Sequence, residues 1–318
     1  MLQDIRKRDP QVEAAAEVIA TVRPDVVLLT NFDWDHEGLA LRAFEALLQE
    51  KGLDYPYLFA PRPNSGLESG QDLDGNGKPG EPRDAQGYGR FTGDGGLALL
   101  SRLPIATEAA QDFSAFLWRD LPDGLIRDAG LSPEAAAVQR LSSTGHWDVP
   151  LRLPGGDMLH LWAFAATPPL FDGPEDRNGR RNHDEAAFWL RYLAKDLPGR
   201  APQAAFVLAG NINLDPQKGE GRRAALTALL AHPALQDPQP ESPGAGLAPA
   251  GERGGAPMAQ DTAWWPGPGG LRLDYLLPSA GIGVQAAGVF WPAPGVPGAE
   301  AAALASPHRL VWADLLLP

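Results

Sequence analysis

Two amide side chains, Asn211 and Asn213, directly follow an apolar run at residues 204–208. Such a run is typical of a buried strand, and a strand that ends in Gly-x-x-Asn delivers side chains into a cleft. A hard divalent cation in such a cleft requires carboxylate oxygens, whereas an amide offers one oxygen without charge. The residue types at this strand end therefore raise the question of whether metal chemistry takes place there.

A second set of oxygen-bearing side chains lies in a Gly- and Asp-rich segment at residues 72–84. Its first part, DLDGNG, matches the first half of a calcium-binding loop, in which Asp or Asn recurs at alternate positions before a glycine. The twelfth position is Arg83 instead of Glu, so that another carboxylate must close the loop. The pattern favours a Ca²⁺ site over a plain Asp/Gly turn. The predicted ligands are Asp72, Asp74, Asn76, the backbone carbonyl of Lys78, and either Asp84 or Glu81.

The segment His183-Asp184-Glu185 also combines an imidazole with carboxylates. Asn182 in front of it and Glu185 three residues later match a capping box, which predicts a helix over residues 182–196. We therefore interpret the segment as the polar first turn of that helix, where the helix dipole stabilises acidic side chains, and not as a metal site. The six histidines otherwise show no zinc-ligand spacing.

The composition excludes several classes of function. The net charge of -13 argues against a broad nucleic-acid-binding surface, because phosphate backbones require an excess of Lys and Arg, although a local basic pocket is still allowed. The chain has no cysteine, so that it forms no disulfide and offers no thiol nucleophile or thiolate metal site. No run of about 18 apolar residues is present, which predicts that no segment spans a membrane.

The elements that must position these residues alternate between helices and strands. Asp9 as N-cap and Pro10 at the first helical position predict a helix that ends before Pro24. The mixture of helices and strands, with late strands joined by short turns, predicts a mixed sheet sandwich with helices outside. Further helices are predicted at residues 37–52, 182–196 and near 219–231, and strands at residues 25–30, 97–101, 158–164, 204–208, 271–277, 287–291 and 309–315.

A Gly- and Pro-rich stretch at residues 237–270 is the best candidate for a linker. Trp264 and Trp265 lie within it, and two adjacent indole rings favour docking of the stretch onto the body of the protein. We therefore predict a single domain over residues 1–318.

Several segments resemble one family across nearly the whole chain. The longest and most specific is TPPLFDGPEDRNGRRNHDE at residues 167–185, and others are NSGLESGQDLDGNG, LSSTGHWDVP, LRLDYLLPS and HRLVW. Together they resemble the bacterial branch of the endonuclease/exonuclease/phosphatase superfamily, whose best-known cousin is pancreatic deoxyribonuclease. The resemblance implies a four-layered α/β sandwich, in which two packed mixed β-sheets are flanked by helices. It also implies metal-assisted attack of water on a phosphoester, with one His as general base, carboxylates that hold Mg²⁺ or Mn²⁺, and an Asp–His pair.

The residues that match the family's catalytic positions are largely changed. The metal-binding Glu of the family corresponds to Asn31, and its catalytic His corresponds to Ala165. The Asp of the family's Gly-Asp-x-Asn motif corresponds to Asn211, and the Asp of its final Asp-His pair corresponds to Pro307. Three positions keep the family's side chains, namely Asn213, Asp274 and His308.

These substitutions remove three negative charges and one general base from a single cleft. The resemblance therefore implies a degenerate site that binds Mg²⁺ or Mn²⁺ weakly or not at all, in a pseudoenzyme with a binding or structural role and a protein as one candidate partner. The alternative is an active phosphodiesterase, phosphatase or nuclease with a rearranged metal site, which would act on a phosphorylated small molecule or a phosphodiester. Three carboxylates around Asn213 and His308 would favour that alternative. The candidates for them are Asp33, Asp35, Asp94 and Asp215.

The family's first strand, which carries an Asn into the site, would precede Met1. Its absence from the sequence predicts a vacant position beside the strand at residues 25–30. The start MLQDIRKRDP has no apolar core of a signal peptide, which is typical of a cytoplasmic protein. We expect either that the natural start lies further upstream, where a secretion signal would place the protein in the periplasm or outside the cell, or that another segment or a partner fills the gap.

Overall fold

Short, mostly apolar segments form the strands of the protein, whose computed structural model describes residues 1–199, 201, 205–253 and 255–317. Each predicted strand overlaps an observed one, although Ala204 at the start of the segment 204–208 lies outside the described residues. The strands are β1 (Val26–Phe32), β2 (Tyr57–Phe59), β3 (Gly96–Ser101), β4 (Gln111–Asp112), β5 (His146–Arg152), β6 (Met158–Ala165), β7 (Ala205–Asn211), β8 (Ala263–Trp265), β9 (Gly269–Leu271), β10 (Asp274–Pro278), β11 (Gly283–Phe290) and β12 (Leu310–Leu316).

Strand β5 was not predicted from the sequence, although it lies inside a sheet, between β6 and β4. It contains Asp148 and Pro150, two residue types that are depleted in strands. Asp148 is nevertheless buried, because its carboxylate accepts hydrogen bonds from Tyr192 Oη at 2.8 Å and pairs with His160 Nδ1 at 2.6 Å. Tertiary partners therefore override the local preference of this segment.

The strands form two main sheets. In the first sheet the order is β1-β3-β2, and all neighbours are antiparallel. In the second sheet the order is β10-β7-β6-β5-β4, and β6 and β7 are parallel neighbours. Strands β11 and β12 form an antiparallel pair, as do β8 and β9. Because β6 and β7 are parallel and in register, the residues at their carboxyl ends lie side by side at one edge.

Some of the helices begin at a residue whose side chain caps the first turn. The predicted start of the first long helix is confirmed, because Pro10 is its first residue and the Asp9 carboxylate accepts a hydrogen bond from the Gln11 amide at 2.9 Å. No helix in the described part of the chain is long and apolar enough to cross a membrane. The helices are α1 (Leu2–Arg6), α2 (Pro10–Val22), α3 (Leu39–Glu50), α4 (Pro133–Val138), α5 (Arg177–Ala194), α6 (Ala224–Leu230), α7 (Pro243–Gly246) and α8 (Ala299–Ala305).

The predicted start of α5 is wrong. The helix begins at Arg177, so that Asn182 is not a cap but lies inside the helix, fully buried. The Asn182 Nδ2 donates hydrogen bonds to the carbonyls of Thr167 and Ile212, both at 2.7 Å. Glu185 is also fully buried and does not belong to a polar first turn. These side chains resemble a capping box in sequence, but their partners are distant loops.

Three hydrophobic clusters separate four layers. The first cluster joins α2 and α3 to the first sheet and includes Leu48. The second lies between the two sheets and includes Leu99 and Trp147. The third joins the second sheet to α5 and α6, where the rings of Trp162 and Trp189 stack at 5.4 Å. The protein is thus an α/β sandwich of four layers, as the resemblance implied.

The stretch considered as a linker, residues 237–270, contacts the C-terminal segment of the chain. The Trp264 amide donates a hydrogen bond to the Pro307 carbonyl at 3.1 Å, and Ala263 forms a β-bridge with His308. Strands β8 and β9 therefore hold the segment before β12 in place and contribute to the surroundings of His308.

Candidate functional site

One large cavity, with a volume of about 2450 Å³, opens where β1, β6 and β7 end and where β10 and β12 begin. Residues far apart in sequence meet there because these strands come from both main sheets and from the β11–β12 pair. All seven positions that the resemblance matches to the family's catalytic side chains line this cavity. They are Asn31, Ala165, Asn211, Asn213, Asp274, Pro307 and His308.

Asn31 lies in a β-bulge near the end of β1. Its backbone has a φ of 57°, a left-handed conformation that Asn adopts more readily than most residues. The Asn31 Oδ1 lies only 2.5 Å from the point that a Cβ at Gly95 would occupy. The amide side chain of Asn31 therefore packs closely over Gly95, a position that requires glycine.

The ends of β6 and β7 carry Ala165 and Asn211, which are paired in register. The Asn211 Oδ1 accepts a hydrogen bond from the Asn213 amide at 2.6 Å, and the Asn213 Nδ2 donates to the Ala166 carbonyl at 2.7 Å. Asn213 has a left-handed backbone, with a φ of 55°. Both amide side chains thus stabilise the turn that follows β7, which is a structural role.

Asp274 and His308 form the one Asp–His contact among the seven positions. The His308 Nδ1 lies 2.7 Å from Asp274 Oδ2, and the same oxygen accepts a hydrogen bond from Thr262 Oγ1 at 2.9 Å. The indole of Trp265 contacts the imidazole edge to face, with 5.1 Å between the ring centres. Burial lowers the pKa of His308, but the charge and hydrogen bond of Asp274 outweigh burial, so that the net pKa is raised above its ordinary value.

We expect the Asp274→Asn substitution to lower the pKa of His308, because it removes the carboxylate charge. NMR titration of the histidine ring signals measures this shift. Because the folded pKa of His308 is raised, the stabilisation from this pair is fully present below about pH 6.5 and is lost as the pH rises through the folded pKa. Asp157→Asn, an exposed change elsewhere, should leave the His308 titration as it is. An unchanged titration in Asp274→Asn would show that the carboxylate does not control this imidazole.

The donors around the cleft do not fit Mg²⁺, which prefers carboxylate oxygens in octahedral geometry. Asn31 and Asn211 offer neutral amides, and the Asn211 oxygen already accepts a backbone hydrogen bond. Asp274 is the carboxylate nearest His308, and one of its oxygens is shared between His308 and Thr262. Among the described residues, no three ligand atoms of His, Asp or Glu lie within 4.8 Å of one another at this cleft.

The carboxylates considered for a rearranged metal site do not converge. Asp33 and Asp94 line the cavity, whereas Asp35 lines a separate pocket of about 230 Å³. Each of the four caps backbone amides in its own neighbourhood. The donors are the Gly95 amide for Asp33, the Leu39 and Ala40 amides for Asp35, the Arg90 amide for Asp94, and the Gln217 and Arg272 amides for Asp215.

Glu185, which the sequence placed on a helix surface, holds two loops of the cavity wall. Its carboxylate accepts hydrogen bonds from the Ser143 amide at 2.6 Å, the Ser143 hydroxyl at 2.7 Å and the Thr167 amide at 2.7 Å. Ser143 and Thr167 both line the cavity. Burial raises the pKa of Glu185 to about 7, although the Arg181 charge and the Ser143 hydrogen bonds oppose this rise. Glu185 is therefore a positioning residue, and both of its partners lie in segments that carry the family resemblance.

Arg181 lies one turn before Glu185 on α5 and is also buried. Its guanidinium donates to the carbonyls of Leu141 at 2.9 Å and Ser142 at 3.0 Å, and also to Gln86. Burial lowers the pKa of Arg181 to about 10. The Arg181 and Glu185 charges thus offset each other in the interior while both side chains anchor loops.

The predicted calcium loop brings three carboxylates together. Asp72, Asp74 and Asp84 each place an oxygen within 4.8 Å of the others, and this is the one such group among the described residues. The Asp72 carboxylate accepts hydrogen bonds from the Gly75 and Gly77 amides at 2.8 and 2.7 Å. These backbone contacts shape the loop and point its acidic side chains toward a common centre.

The other predicted ligands lie beside this group. Asn76 Nδ2 donates to Asp74 Oδ2 at 3.1 Å and to Glu81 Oε2 at 2.7 Å. Asn76 Oδ1 accepts a hydrogen bond from the Lys78 amide at 2.8 Å. The Asp84 carboxylate is the buried member and accepts from the Glu81 amide at 3.0 Å. Two carboxylates thus accept hydrogen bonds from the Asn76 side chain, which is a neutral amide.

The four-layered sandwich with a cleft at its strand ends is the architecture that the resemblance implied. The model of the Endonuclease/Exonuclease/phosphatase family matches residues 3–308, and the chain therefore belongs to that family. No curated protein matches the chain at a significant level.

Solved structures from several bacteria share this fold. An endonuclease/exonuclease/phosphatase from Beutenbergia cavernae DSM 12333 has 20% identity and a TM-score of 0.58, over 96% of this chain and 66% of that one. A family protein from Leptotrichia buccalis C-1013-b has 15% identity and a TM-score of 0.57, over 96% and 93% of the two chains. A mannosyl-6-phosphatase from Bacteroides thetaiotaomicron VPI-5482 has 12% identity and a TM-score of 0.52, over 99% and 95%. The chain thus spans slightly less than two thirds of the Beutenbergia protein.

Proposed function

We propose that this chain is a member of the family that has lost metal-dependent phosphoester hydrolysis and acts by binding a ligand or partner. The observation that carries the proposal is the state of the strand-end amides. Asn211 Oδ1 accepts a hydrogen bond from the Asn213 amide at 2.6 Å, and Asn213 Nδ2 donates to the Ala166 carbonyl after β6 at 2.7 Å, so that both side chains are engaged in local structure. Asn211 matches a carboxylate of the family, and its neutral amide lacks the negative charge that a carboxylate would offer Mg²⁺.

The lack of a general base at the matching position supports the same proposal. Ala165 at the end of β6 has no group that accepts a proton, and it is 8% exposed at the cavity wall. A positioned general base typically contributes a rate factor of about 10²–10⁴. His308 is held by Asp274 on β10, so that it does not replace the missing base on β6.

The mouth of the cavity has features of a binding surface. Tyr88 and Phe171 both line it and are 63% and 78% exposed, which is unusual for large aromatic rings. Asn178 lies near them on the first turns of α5. Aromatic rings beside amides favour a ligand that stacks and forms hydrogen bonds, either a phosphorylated small molecule or an aromatic side chain of a protein partner.

A hydrolysis screen tests the loss of activity directly. We expect no turnover of phosphodiester or phosphomonoester substrates above the buffer blank, with Mg²⁺, Mn²⁺ or Ca²⁺ present. Calorimetry should also detect no saturable Mg²⁺ binding at micromolar concentrations, because the cleft lacks converging carboxylates. Metal-stimulated hydrolysis that disappears in His308→Ala, or micromolar Mg²⁺ binding that disappears in Asn213→Ala, would establish the rearranged active site instead.

We propose separately that the loop at residues 72–84 binds one Ca²⁺. The support is the approach of Asp72, Asp74 and Asp84 within 4.8 Å, since three carboxylates this close repel each other without a cation. Asn76, Glu81 and the Lys78 carbonyl would complete the oxygen ligands.

Calcium should raise the melting temperature of the protein, and excess chelator should lower it, because a ligand that binds only the folded state stabilises that state. Differential scanning calorimetry measures both shifts. In Asp74→Asn the response to Ca²⁺ should weaken, whereas Asp157→Asn, an exposed Asp in another turn, should respond as the unchanged protein does. Identical melting curves in chelator and in millimolar Ca²⁺ would show that the loop is a turn without an ion.

A further inference from the structure

Two Asn-Gly pairs occur in the chain, and they lie in different kinds of structure. Asn76-Gly77 lies in the exposed loop at residues 72–84, outside any helix or strand. Asn178-Gly179 lies in α5, where Gly179 is buried. In such a pair the glycine nitrogen can close a five-membered ring on the side-chain carbonyl carbon of Asn, because glycine has no Cβ to obstruct the approach. Asn is accordingly one of the thermolabile residues of proteins.

The loop presents the Gly77 nitrogen as a nucleophile. Its N–H donates a hydrogen bond to Asp72 Oδ2 at 2.7 Å, and the carboxylate draws the proton away from the nitrogen. A peptide N–H donates in the plane of the peptide, so that this bond leaves the face of the nitrogen open. A Cβ at Gly77 would meet no atom of the described residues within 4 Å beyond its chain neighbours. The loop therefore leaves space around the reacting nitrogen.

The Asn76 side chain is held by hydrogen bonds that suit an electrophile. The Lys78 amide donates to Asn76 Oδ1 at 2.8 Å, and this oxygen gains negative charge when the side-chain carbon is attacked. The Asn76 Nδ2, which is the leaving group, donates to Glu81 Oε2 at 2.7 Å and to Asp74 Oδ2 at 3.1 Å. Together these contacts orient the side chain, and orientation of reacting groups lowers the entropic part of a barrier.

The second Asn-Gly pair has surroundings that oppose the same reaction. A helical backbone directs the Asn178 side chain toward the start of α5 and away from the next amide. The Asn178 Nδ2 donates to the Leu170 carbonyl at 2.6 Å, which holds it in that direction. Asp176 Oδ1 lies only 1.9 Å from the point that a Cβ at Gly179 would occupy. Asn178-Gly179 is therefore a matched control within the same chain.

We propose that Asn76-Gly77 is a self-modification site, at which the loop converts its own side-chain amide into a carboxylate. The Gly77 nitrogen forms a bond to Asn76 Cγ and gives its proton to hydroxide from the solvent. The Cγ–Nδ2 bond breaks, and Nδ2 leaves as ammonia after it takes up a proton from water. One water then opens the cyclic imide, either at Cγ to give an aspartyl residue or at the backbone carbonyl carbon to give an isoaspartyl residue. In total one water is consumed and one ammonia is released.

The modification changes the charge of the loop. It adds a negative charge beside Asp72, Asp74 and Asp84, whose oxygens already lie within 4.8 Å of one another. Without a cation the added charge repels its neighbours, so that the modified chain should be less stable than the unmodified chain. The reaction uses only the loop and water, and it is therefore independent of the Ca²⁺ proposed for the same loop.

The experiment incubates the full chain in excess chelator at mildly alkaline pH, once folded and once unfolded in guanidinium chloride. Peptide mass spectrometry measures the gain of one mass unit at each Asn-Gly pair, whereas isomerisation of an Asp-Gly pair leaves the mass unchanged. In the folded chain we expect Asn76 to react faster than Asn178 by a factor of about ten or more, because only the loop orients both reacting groups. In the unfolded chain the two rates should converge, and Asn76 should react no faster there than in the folded chain.

Three results would overturn the proposal. Equal rates at Asn76 and Asn178 in the folded chain would show that the loop does not promote the reaction. A slower reaction of Asn76 in the folded chain than in the unfolded chain would show that its hydrogen bonds protect it. Gly77→Ala crowds the nitrogen and strains a backbone with a φ of 83°, so that it should slow the reaction at Asn76 and leave Asn178 unaffected. An unchanged rate at Asn76 in this variant would assign the mass gain to direct hydrolysis of the amide, without ring closure.

Discussion

Magnesium-dependent phosphoester hydrolysis should appear when all four of the family's missing side chains are returned to the cleft. We call this protein the restored variant. Three of the changes add a negative charge at the mouth of the cavity, where Mg²⁺ requires carboxylates, and the fourth adds an imidazole beside them. The restored variant carries Asn31→Glu, Ala165→His, Asn211→Asp and Pro307→Asp.

The local structure can accept most of these changes. Asp at 211 has the shape of Asn and keeps the oxygen that accepts the Asn213 amide at 2.6 Å. Pro307 contributes a carbonyl to Trp264, which a different side chain leaves in place. Asn31 is the strained position, because a φ of 57° costs other residues about 1–3 kcal/mol. We therefore expect the restored variant to fold with reduced stability.

A matched control variant separates the effect of bound Mg²⁺ on hydrolysis from the effect of the general base at position 165. A triple variant that keeps Ala165 should bind Mg²⁺ by calorimetry as well as the restored variant does. Its hydrolysis rate should be lower by a factor of about 10²–10⁴, the usual contribution of a general base. Metal binding without any rate difference between the two would contradict the role assigned to position 165. No Mg²⁺ binding in either variant would show that the carboxylates at these positions do not form a metal site.

Glu185→Ala should destabilise the fold by about 1–3 kcal/mol for each buried group that loses its partner, and it also takes a nearby opposite charge from buried Arg181. It also removes the acceptor of three hydrogen bonds from Ser143 and Thr167. Urea unfolding measures the change in free energy. Glu108→Ala is the control, because Glu108 is 67% exposed and pairs with Arg152 at the surface, where loss of the pair costs within about 1 kcal/mol. Equal effects of the two substitutions would contradict an anchoring role for Glu185.

The pH dependence of Glu185→Gln gives a second measure of the same site. Burial raises the folded pKa of Glu185 to about 7, above its unfolded value of about 4.3. The stabilisation linked to this proton is thus fully present below about pH 4.3 and is lost as the pH rises through about 7. Gln cannot titrate, so the unchanged protein should lose stability relative to Glu185→Gln across this range. If the difference in free energy of unfolding between the two proteins stays constant across this pH range, the pKa of Glu185 is not raised in the folded protein.

Local signals in the sequence were sufficient for some elements and misleading for others. Asp9 and Pro10 predicted the start of α2 correctly, because a cap and its partner amide lie within two residues. Asn182 and Glu185 matched a capping box equally well, yet both are buried and bond to distant loops. A one-dimensional pattern does not distinguish a polar group that caps its own helix from one that anchors a remote segment.

The sequence by itself determined the family, many of the strands and helices, and the side chains at the seven cleft positions, because apolar runs and a long specific motif are local properties. Only the tertiary structure decided how those side chains are engaged. Asp274 meets His308 across 34 positions of the chain, and Glu185 meets Ser143 across 42. Contacts between residues so far apart in sequence depend on which strands become neighbours in the sheets. Local hydrogen bonding along one stretch of the chain does not specify those neighbours.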